Sequence, residues 1–497
     1  MPMTVVGEPA DAVDGAWLLA LRLWVVCLLS ALLAGAPAVL RAAVFHGTPS
    51  DYRSLIGRLA PGDTLSLAAG IYREGLPITD LHGTPEHTIV VAGPSSGAPA
   101  VFLGRACCNT VQIKDSSYVE VRDLKLGGQN VPGIDGVNGR GITHHITIEG
   151  LTIVGHGGDQ QDVGISTKGP AWDWVIRGNT IIGAGTGMYL GNSPGDDPFV
   201  QGVIERNLMI DTIGYNLQIK QQNPRPTGIG MPTDGGRTII RYNVFTKAHG
   251  ASSGAMARPN LLVGHFPLTG AGRNDVYEIY GNFFWQNPTE ALFQGEGNIA
   301  LYDNVFINDF GDAVNIQPQH DVPRMIRIFD NTVVARDSGI HVIGGAIGYT
   351  QEVVGNAVFA ETPIRGGDRR DNVATPYALA GDFLGRVSGS LGVRDWFPKS
   401  GMLTGAVIDL RPFQAFTDYD RDFNGTPRDG THRGAYAGSG VNPGWVPRLE
   451  IRPLISGAPI PPSPPSVPAA GLSFSVDKGT VVSGGGVRLT WNGGNVS

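Results

Sequence analysis

Basic residues are concentrated in one stretch of the chain, between Asn216 and Asn274. The stretch holds seven lysines and arginines against a single acid, Asp234, which gives a local charge of about +6 in a protein of formal net charge -7. Its cations and histidines are Lys220, Arg225, Arg237, Arg241, Lys247, Arg258, Arg273, His249 and His265. Such a stretch predicts an anion-binding surface, although charges pointing in several directions from long loops would give the same composition.

A lysine among arginines suits the β-elimination of a uronic-acid polymer. In that reaction a base removes the weakly acidic proton beside a carboxylate, while an arginine or a metal neutralises the carboxylate. Neighbouring arginines would lower the pKa of Lys220 and make its amine the base. A tyrosine or histidine would then protonate the leaving oxygen. The catalytic candidates are Lys220, Arg241, Arg258, His249 and His265, and Arg225 is a substrate-binding candidate.

Carboxylates offer a second chemistry, the hydrolysis of a glycosidic bond by two acids at a fixed separation. Glu290, Glu296 and Asp312 are close in sequence, and Gln294 between them is a further substrate-binding candidate. Glu290 and Glu296 could equally bind Ca²⁺ or pair with the basic coils. No motif requires a cofactor, and calcium is the one candidate.

An asparagine that recurs at one position of successive repeats sets the framework for these residues. The spacings are 28, 36, 39, 22, 27 and 25 residues, which is typical of a solenoid with loops of variable length. The residues three before and two after each asparagine are all apolar. The set is Asn179, Asn207, Asn243, Asn282, Asn304, Asn331 and Asn356. A strand, a one-residue corner and a second strand explain the pattern, so we predict an all-β, single-stranded right-handed parallel β-helix.

The corner position and the column beside it lead to two further predictions. Asparagine tolerates the left-handed conformation, and its amide can bond to the coils above and below in a ladder. The residue two before each asparagine would form an outward column, where aromatic rings stack on sugars and arginines bind carboxylates. The column contains Arg177, Glu205, Arg241, Tyr280 and Tyr302, of which Arg177, Tyr280 and Tyr302 are substrate-binding candidates.

The ends of the chain differ in composition from the repeats. An apolar run, Leu23–Leu33, follows Arg22 and predicts a signal peptide over residues 1–43; an uncleaved anchor over Ala16–Leu40 is the alternative. We expect the β-helix over 44–437 and a Pro/Gly-rich linker over 438–470. Residues 471–497 alternate like the first strands of an immunoglobulin-like domain that is incomplete.

A short helix is expected to cap the open end of the solenoid. Tyr52, Leu55, Ile56 and Leu59 lie on one helical face, just before the turn at Pro61 and the first coil.

The order of several motifs resembles the alginate lyase and chondroitinase B family of secreted polysaccharide lyases. The segments are Gln218-Ile219-Lys220, Arg241-Tyr242-Asn243-Val244-Phe245, Arg258 and Gly281-Asn282-Phe283-Phe284. The resemblance implies Lys220 as the base and Arg258 as the group that assists it. More broadly, the chain resembles secreted right-handed β-helix proteins of the pectate-lyase-like superfamily.

We therefore expect a secreted or cell-surface monomer, bacterial and extracellular or periplasmic, with an acidic polysaccharide as its partner. The net charge argues against nucleic acid, and no membrane span is expected once the signal is cleaved. A uronate lyase is the preferred function. A glycoside hydrolase and a non-enzymatic adhesin or glycan-binding protein are the alternatives. Lys220 and Arg258 in one groove would favour the lyase, and opposite faces would favour a binding protein.

Overall fold

A computed structural model describes residues 1, 3–4, 42–233 and 235–454. Most of the expected signal segment, the later part of the linker and the whole immunoglobulin-like segment lie outside these residues. Within the described ranges, no helix is both long and apolar enough to cross a bilayer.

Strands of successive coils pair in parallel and form three faces. Each coil contributes a strand to the first face, turns at the asparagine position, and continues through the second and third faces. The strands Val111–Arg122 and Val137–Glu149 run from the third face into the first face of the next coil, so these two faces share one 24-stranded sheet. The second face is a separate sheet of 12 strands.

The strand bounds follow the coils in order. The other strands of the first face are Val44–Gly47, Thr64–Leu67, Ile89–Ala92, Val175–Arg177, Val203–Glu205, Arg237–Arg241, Val276–Tyr280, Ile299–Tyr302, Ile326–Phe329, Gln351–Val354 and Asp368–Arg370. The second face has Gly70–Tyr72, Ala100–Leu103, Leu124–Gly127, Thr152–Val154, Thr180–Ile182, Leu208–Ile210, Val244–Thr246, Phe283–Trp285, Val305–Asn308, Thr332–Ala335, Ala357–Phe359 and Val373–Thr375. The third face adds Leu76–Thr79, Val163–Thr167, Thr186–Leu190, Leu217–Ile219, Leu261–Val263, Phe293–Gly295, Val314–Ile316, Ser338–Val342 and Thr362–Arg365, and the short strands Ala171–Trp172 and Phe199–Val200 pair beside Val137–Glu149.

The parallel β-helix predicted from the repeat is confirmed. Apolar side chains of all three faces point inward and form one core along the coils. Like residues stack from coil to coil, and the ring centroids of Phe245 and Phe284 lie 4.7 Å apart. The capping helix is also present, over Tyr52–Ile56, with Tyr52 and Ile56 buried against the first coils.

The predicted asparagine ladder forms at the corner between the first and second faces. Each of the seven side chains is fully buried. The Oδ1 of Asn282, for example, accepts the backbone N–H of Asn243 at 2.9 Å and its Nδ2 at 3.0 Å. The same pattern continues to Asn372, which the repeat did not include. Because the seven predicted rungs are fully buried, their amides satisfy backbone groups that water cannot reach.

The left-handed residue at this corner is the one before the asparagine, which corrects the expected reason for the asparagine. Arg206, Tyr242 and Asp303 have φ of 53°, 58° and 52°, and Gly281 has 62°. The preceding residue makes the turn, and asparagine is required for its hydrogen bonds.

Residues 376–454, which we call the C-terminal cover, fold back along the side of the β-helix. The last coil strand is Val373–Thr375, so the solenoid ends well before the expected boundary at 437. The cover contains the helices Tyr377–Leu379, Ala380–Phe383 and Arg411–Phe413 and the hairpin Leu384–Arg386 with Asp395–Pro398. It buries apolar residues of the first and second faces only, in two clusters.

Candidate functional site

The outward column of the first face is in register as predicted, but from Arg241 onward it lies under the C-terminal cover. Tyr280 and Tyr302 are 2% and 0% exposed. The Tyr280 hydroxyl donates to Asp418 Oδ2 at 3.0 Å, and the Tyr302 hydroxyl donates to the Thr417 backbone oxygen at 2.5 Å. The prediction that these tyrosines stack on sugar rings is therefore wrong, because the cover already occupies that surface.

Three arginines proposed for substrate binding or catalysis form ion pairs with carboxylates and are mostly or fully removed from solvent. The pairs are Arg177–Glu149, Arg225–Asp275 and Arg241–Glu205. The Arg225 side chain is 2% exposed, and the Arg241 and Arg177 side chains are 12% and 14% exposed. A buried, paired guanidinium is not free to bind a second carboxylate, so these assignments are corrected to structural ion pairs.

Lys220 and Arg258 lie on the third face, at opposite ends of neighbouring strands. Lys220 directly follows Leu217–Ile219, and Arg258 precedes Leu261–Val263 by three residues; the two strands pair in register. Neither side chain has a carboxylate within ion-pair distance among the described residues, although most other arginines of the basic stretch do. Both remain partly exposed. The structure thus brings the two predicted groups to one face without placing them in contact.

Two tyrosines occupy the width of the face between these cations. The Lys220 ammonium lies 5.8 Å from the ring centroid of Tyr189, on the neighbouring coil. The Arg258 guanidinium lies 5.9 Å from the ring centroid of Tyr215. The hydroxyl of Tyr189 is 2.6 Å from Ser193 Oγ. Neither tyrosine was predicted from the sequence, because the position relative to the asparagine identifies outward residues of the first face only.

Burial shifts the proton equilibria of this group. It lowers the pKa of Lys220, and this is the effect a general base requires. It also raises the pKa of Tyr215, an effect that Arg258 opposes and that Tyr189 and Glu290 reinforce. Tyr215 is therefore a weaker acid than a free tyrosine and stays protonated at neutral pH.

Lys247 is a further residue of this region that the sequence analysis did not select. Its side chain is fully buried, and Nζ donates to the backbone oxygen of Arg258 at 2.5 Å. Asn287 Nδ2 donates to the same oxygen at 2.9 Å. Burial lowers the pKa of Lys247 to about 7, while Glu290 raises it and Arg258 lowers it. The two donors hold the backbone that carries Arg258. The signals in the sequence were its place in the basic stretch and its position directly after the strand Val244–Thr246.

The two candidate histidines are not joined to Lys220 or Arg258 by any hydrogen bond in the described part of the chain. The His249 side chain is 83% exposed, with Nδ1 3.2 Å from Asp211 Oδ2. His265 is 6% exposed, and its Nδ1 lies 2.7 Å from the Phe266 backbone oxygen. It borders a cleft of about 450 Å³ together with Gln221 and His320.

The carboxylates proposed for hydrolysis or calcium binding have structural partners instead. Glu296 Oε2 accepts three backbone N–H groups of residues 319–321, at 2.9 to 3.0 Å. Glu290 Oε1 accepts from Gln294 at 2.9 Å, and Asp312 Oδ1 accepts the Ser338 N–H at 3.0 Å. Gln294 points outward on the third face but is only 8% exposed, and its amide donates to Glu290 and accepts from Gln319 at 3.4 Å, so it is corrected to a structural residue.

The separation of Glu290 and Glu296 contradicts a shared calcium site. They lie at opposite ends of the strand Phe293–Gly295 and bond to different groups, Glu290 to Gln294 and Glu296 to residues 319–321. Among the described residues there is no group of three or more His, Cys, Asp or Glu that could hold a metal ion. The same bonds engage this pair in the fold and argue against them as the two acids of a hydrolase.

Comparison with solved structures finds matches of low sequence identity. An alginate lyase from Paenibacillus sp. strain FPU-7 is 16% identical, with a TM-score of 0.41, and the match covers 66% of this chain and 99% of that one. A GH136 lacto-N-biosidase from Eubacterium ramulus is 12% identical, with a TM-score of 0.41 and coverage of 71% and 70%. Pectate lyase II from Xanthomonas campestris is 15% identical, with a TM-score of 0.33 and coverage of 57% and 83%.

No family model and no curated protein matches the chain. The identities and TM-scores of the solved structures are too low to assign an activity, and the fold assignment rests on the strand register described above. The architecture is the parallel β-helix expected from the resemblance to the pectate-lyase-like superfamily.

Proposed function

We propose that the protein is a polysaccharide lyase that cleaves a uronate-containing polymer by β-elimination on the third face. The observation that carries the proposal is the position of Lys220 and Arg258, with Tyr189 and Tyr215 between them. This group lies on the face that the C-terminal cover leaves open. An extended open face of stacked coils suits a long polymer better than a small molecule.

Each step of the elimination is assigned to a side chain of this group. Lys220 Nζ takes the proton beside the uronate carboxylate, and the electron pair of that C–H bond forms the new C=C bond. The adjacent C–O bond breaks, and its electrons leave with the glycosidic oxygen, which takes a proton from a tyrosine hydroxyl. Arg258 lies at the other end of the neighbouring strand, and its positive charge attracts the acidic polymer to this face. Tyr189 and Tyr215 are the two candidate donors, since their rings lie beside Lys220 and Arg258.

The environment of Lys220 supports its role as the base. A lysine is useful as a base only when part of it is neutral, and burial without an acidic partner lowers its pKa toward that condition. The elimination rate should therefore rise with pH through the alkaline range below the ordinary lysine value of 10.5. The Tyr189 ring beside the ammonium offers an apolar surface for a sugar ring.

Incubation with alginate, pectate, chondroitin and dermatan tests the function. The lyase should produce the ultraviolet absorbance of unsaturated chain ends on at least one uronate polymer. New reducing ends without this absorbance would instead identify a hydrolase. Binding without either product would identify an adhesin or glycan-binding protein. The Lys220→Met variant is the control for contaminating activity, since it keeps the shape of the side chain and removes the base.

A further inference from the structure

A column of outward cations lies where the strands of the third face end. It runs from Lys220 toward the first coils of the helix. Lys114 pairs in register with Arg140, and Lys168 follows Thr167, which pairs with Gly139. Thr167 pairs in turn with Leu190, and Leu190 pairs with Ile219. The column therefore reads Lys114, Arg140, Lys168, Gly191 and Lys220 on five successive coils.

Two members of the column have an acidic partner within ion-pair distance. Lys168 Nζ lies 2.8 Å from Asp135 Oδ2, and Lys114 Nζ lies 3.7 Å from Asp115 Oδ2. Gly191 leaves space for the lysine beside it, because a Cβ at this position would be 3.3 Å from the Cβ of Lys220.

Arg140 and Lys220 are the cations of this column that have no carboxylate partner in the described ranges. Arg140 is exposed, and Lys220 is partly exposed. Three coil steps separate them, which is about 14 Å at the spacing of neighbouring strands. A 1,4-linked uronate chain lying along the helix axis presents roughly one carboxylate per coil. The two free cations are therefore placed for carboxylates about three sugars apart.

The side chain of Arg140 borders a cleft of about 460 Å³ at the beginning of the third face. Arg53 and Arg105 line the same cleft and share one acid, Glu74, at 3.8 and 3.5 Å. Three guanidinium groups thus face a single carboxylate, which leaves the cleft with a positive charge. The disulfide between the adjacent, exposed Cys107 and Cys108 lies in the same lining.

We propose that Arg140 and this cleft form a remote subsite for an anionic sugar of the chain whose cleavage occurs at Lys220. The polymer then runs parallel to the helix axis, from Lys220 toward the first coils. This inference rests on the proposed function for the identity of the ligand, a polyuronate. The subsite makes turnover depend on chain length, because short oligomers at Lys220 do not reach Arg140.

The test compares wild type with Arg140→Gln on oligomers of three to eight uronate residues from the polymer that is cleaved. The control is Arg386→Gln, which removes the same charge from an exposed arginine in the C-terminal cover. For wild type and the control, kcat/KM should increase once an oligomer is long enough to reach both Lys220 and Arg140, at about five uronate residues. Arg140→Gln should lose this gain, about tenfold and mainly in KM, and keep its activity on the trimer. An unchanged length dependence in Arg140→Gln would overturn the subsite.

Electrophoresis through gels that contain the polyuronate separates the failure of the subsite from that of the lyase. If no polymer is cleaved, wild type and Arg386→Gln should still be retarded by a polyuronate and Arg140→Gln should be retarded less. That result would keep the subsite and reject the lyase. Equal retardation of the three proteins, or no retardation of any, would reject the subsite.

Discussion

The first and third faces are built from the same coils, yet they differ in what their outward side chains can do. On the first face the rings of Tyr280 and Tyr302 stack on each other, and the C-terminal cover buries them. On the third face Lys220, Arg258 and Arg140 have no acidic partner within ion-pair distance among the described residues. A cation available to a ligand is one that the fold has not already neutralised, so the open face is where binding should occur.

Replacing the base should have the largest effect. Lys220→Ala should lower the elimination rate by about 10²- to 10⁴-fold without loss of stability, because its ammonium has no acidic partner to leave behind. Arg241→Gln on the first face should lower the stability and leave the elimination rate of the folded protein unchanged, because it unpairs the buried Glu205. Initial rates and urea unfolding of both variants measure the contrast. Full activity in Lys220→Ala would reject the site.

Breaking the contact between the cover and the first face should have the next largest effect, a loss of stability. Arg428 is buried, donates to Asp303 at 3.0 Å and lies 3.7 Å from Asp330. Burial raises the pKa of Asp330 to about 6, and Arg428 opposes the shift. Arg428→Met leaves both acids uncompensated and should lower the free energy of unfolding by about 3–5 kcal/mol.

Denaturant unfolding and limited proteolysis after residue 375 measure that change. Arg140→Gln on the third face is the matched control and should unfold like wild type. Equal midpoints for Arg428→Met and wild type would show that the cover does not depend on this ion cluster.

A single rung of the asparagine ladder should contribute a smaller amount. Asn282→Ala removes the donor to Ile240 and the acceptor for Asn243, both buried, and should cost about 1–3 kcal/mol. Asn372→Ala, at the partly exposed end of the ladder, should cost less because water can replace the lost bonds. Urea titrations of the two variants give the comparison, and equal losses would mean that burial of the rung does not matter.

The pH dependence of stability should reveal the buried Lys247. Its pKa of about 7 lies below the ordinary value of 10.5, so the unfolded chain binds the proton more tightly. Burial of this group therefore lowers the stability by its full amount below pH 7, and the stability rises as the pH increases from about 7 toward 10.5. The slope is at most about 1.4 kcal/mol per pH unit.

Lys247→Met removes this titration and should flatten the stability profile of wild type between pH 7 and 9. Unfolding free energies at the two pH values provide the check. Parallel profiles for the two proteins would mean that Lys247 is not titrating in this range.

The sequence by itself determined the coil. Asparagine at one position with apolar residues three before and two after it allows one register, because a shift of one residue would turn the apolar side chains outward. The fold, the ladder and the capping helix followed from this local pattern. The left-handed residue before each asparagine did not, because glycine, arginine, tyrosine and aspartate all occupy it and leave no single residue type to recognise.

Only the tertiary structure decided which outward residues meet solvent. Arg241 and Lys220 are both cations beside short apolar strands, and no local pattern tells them apart. The difference arises because Glu205, one coil away, neutralises Arg241, and because Asp418, more than 170 residues later in the chain, lies in the segment that covers it. Burial and ion pairing are set by contacts between distant parts of the chain, so the choice of face could not be read from the repeat.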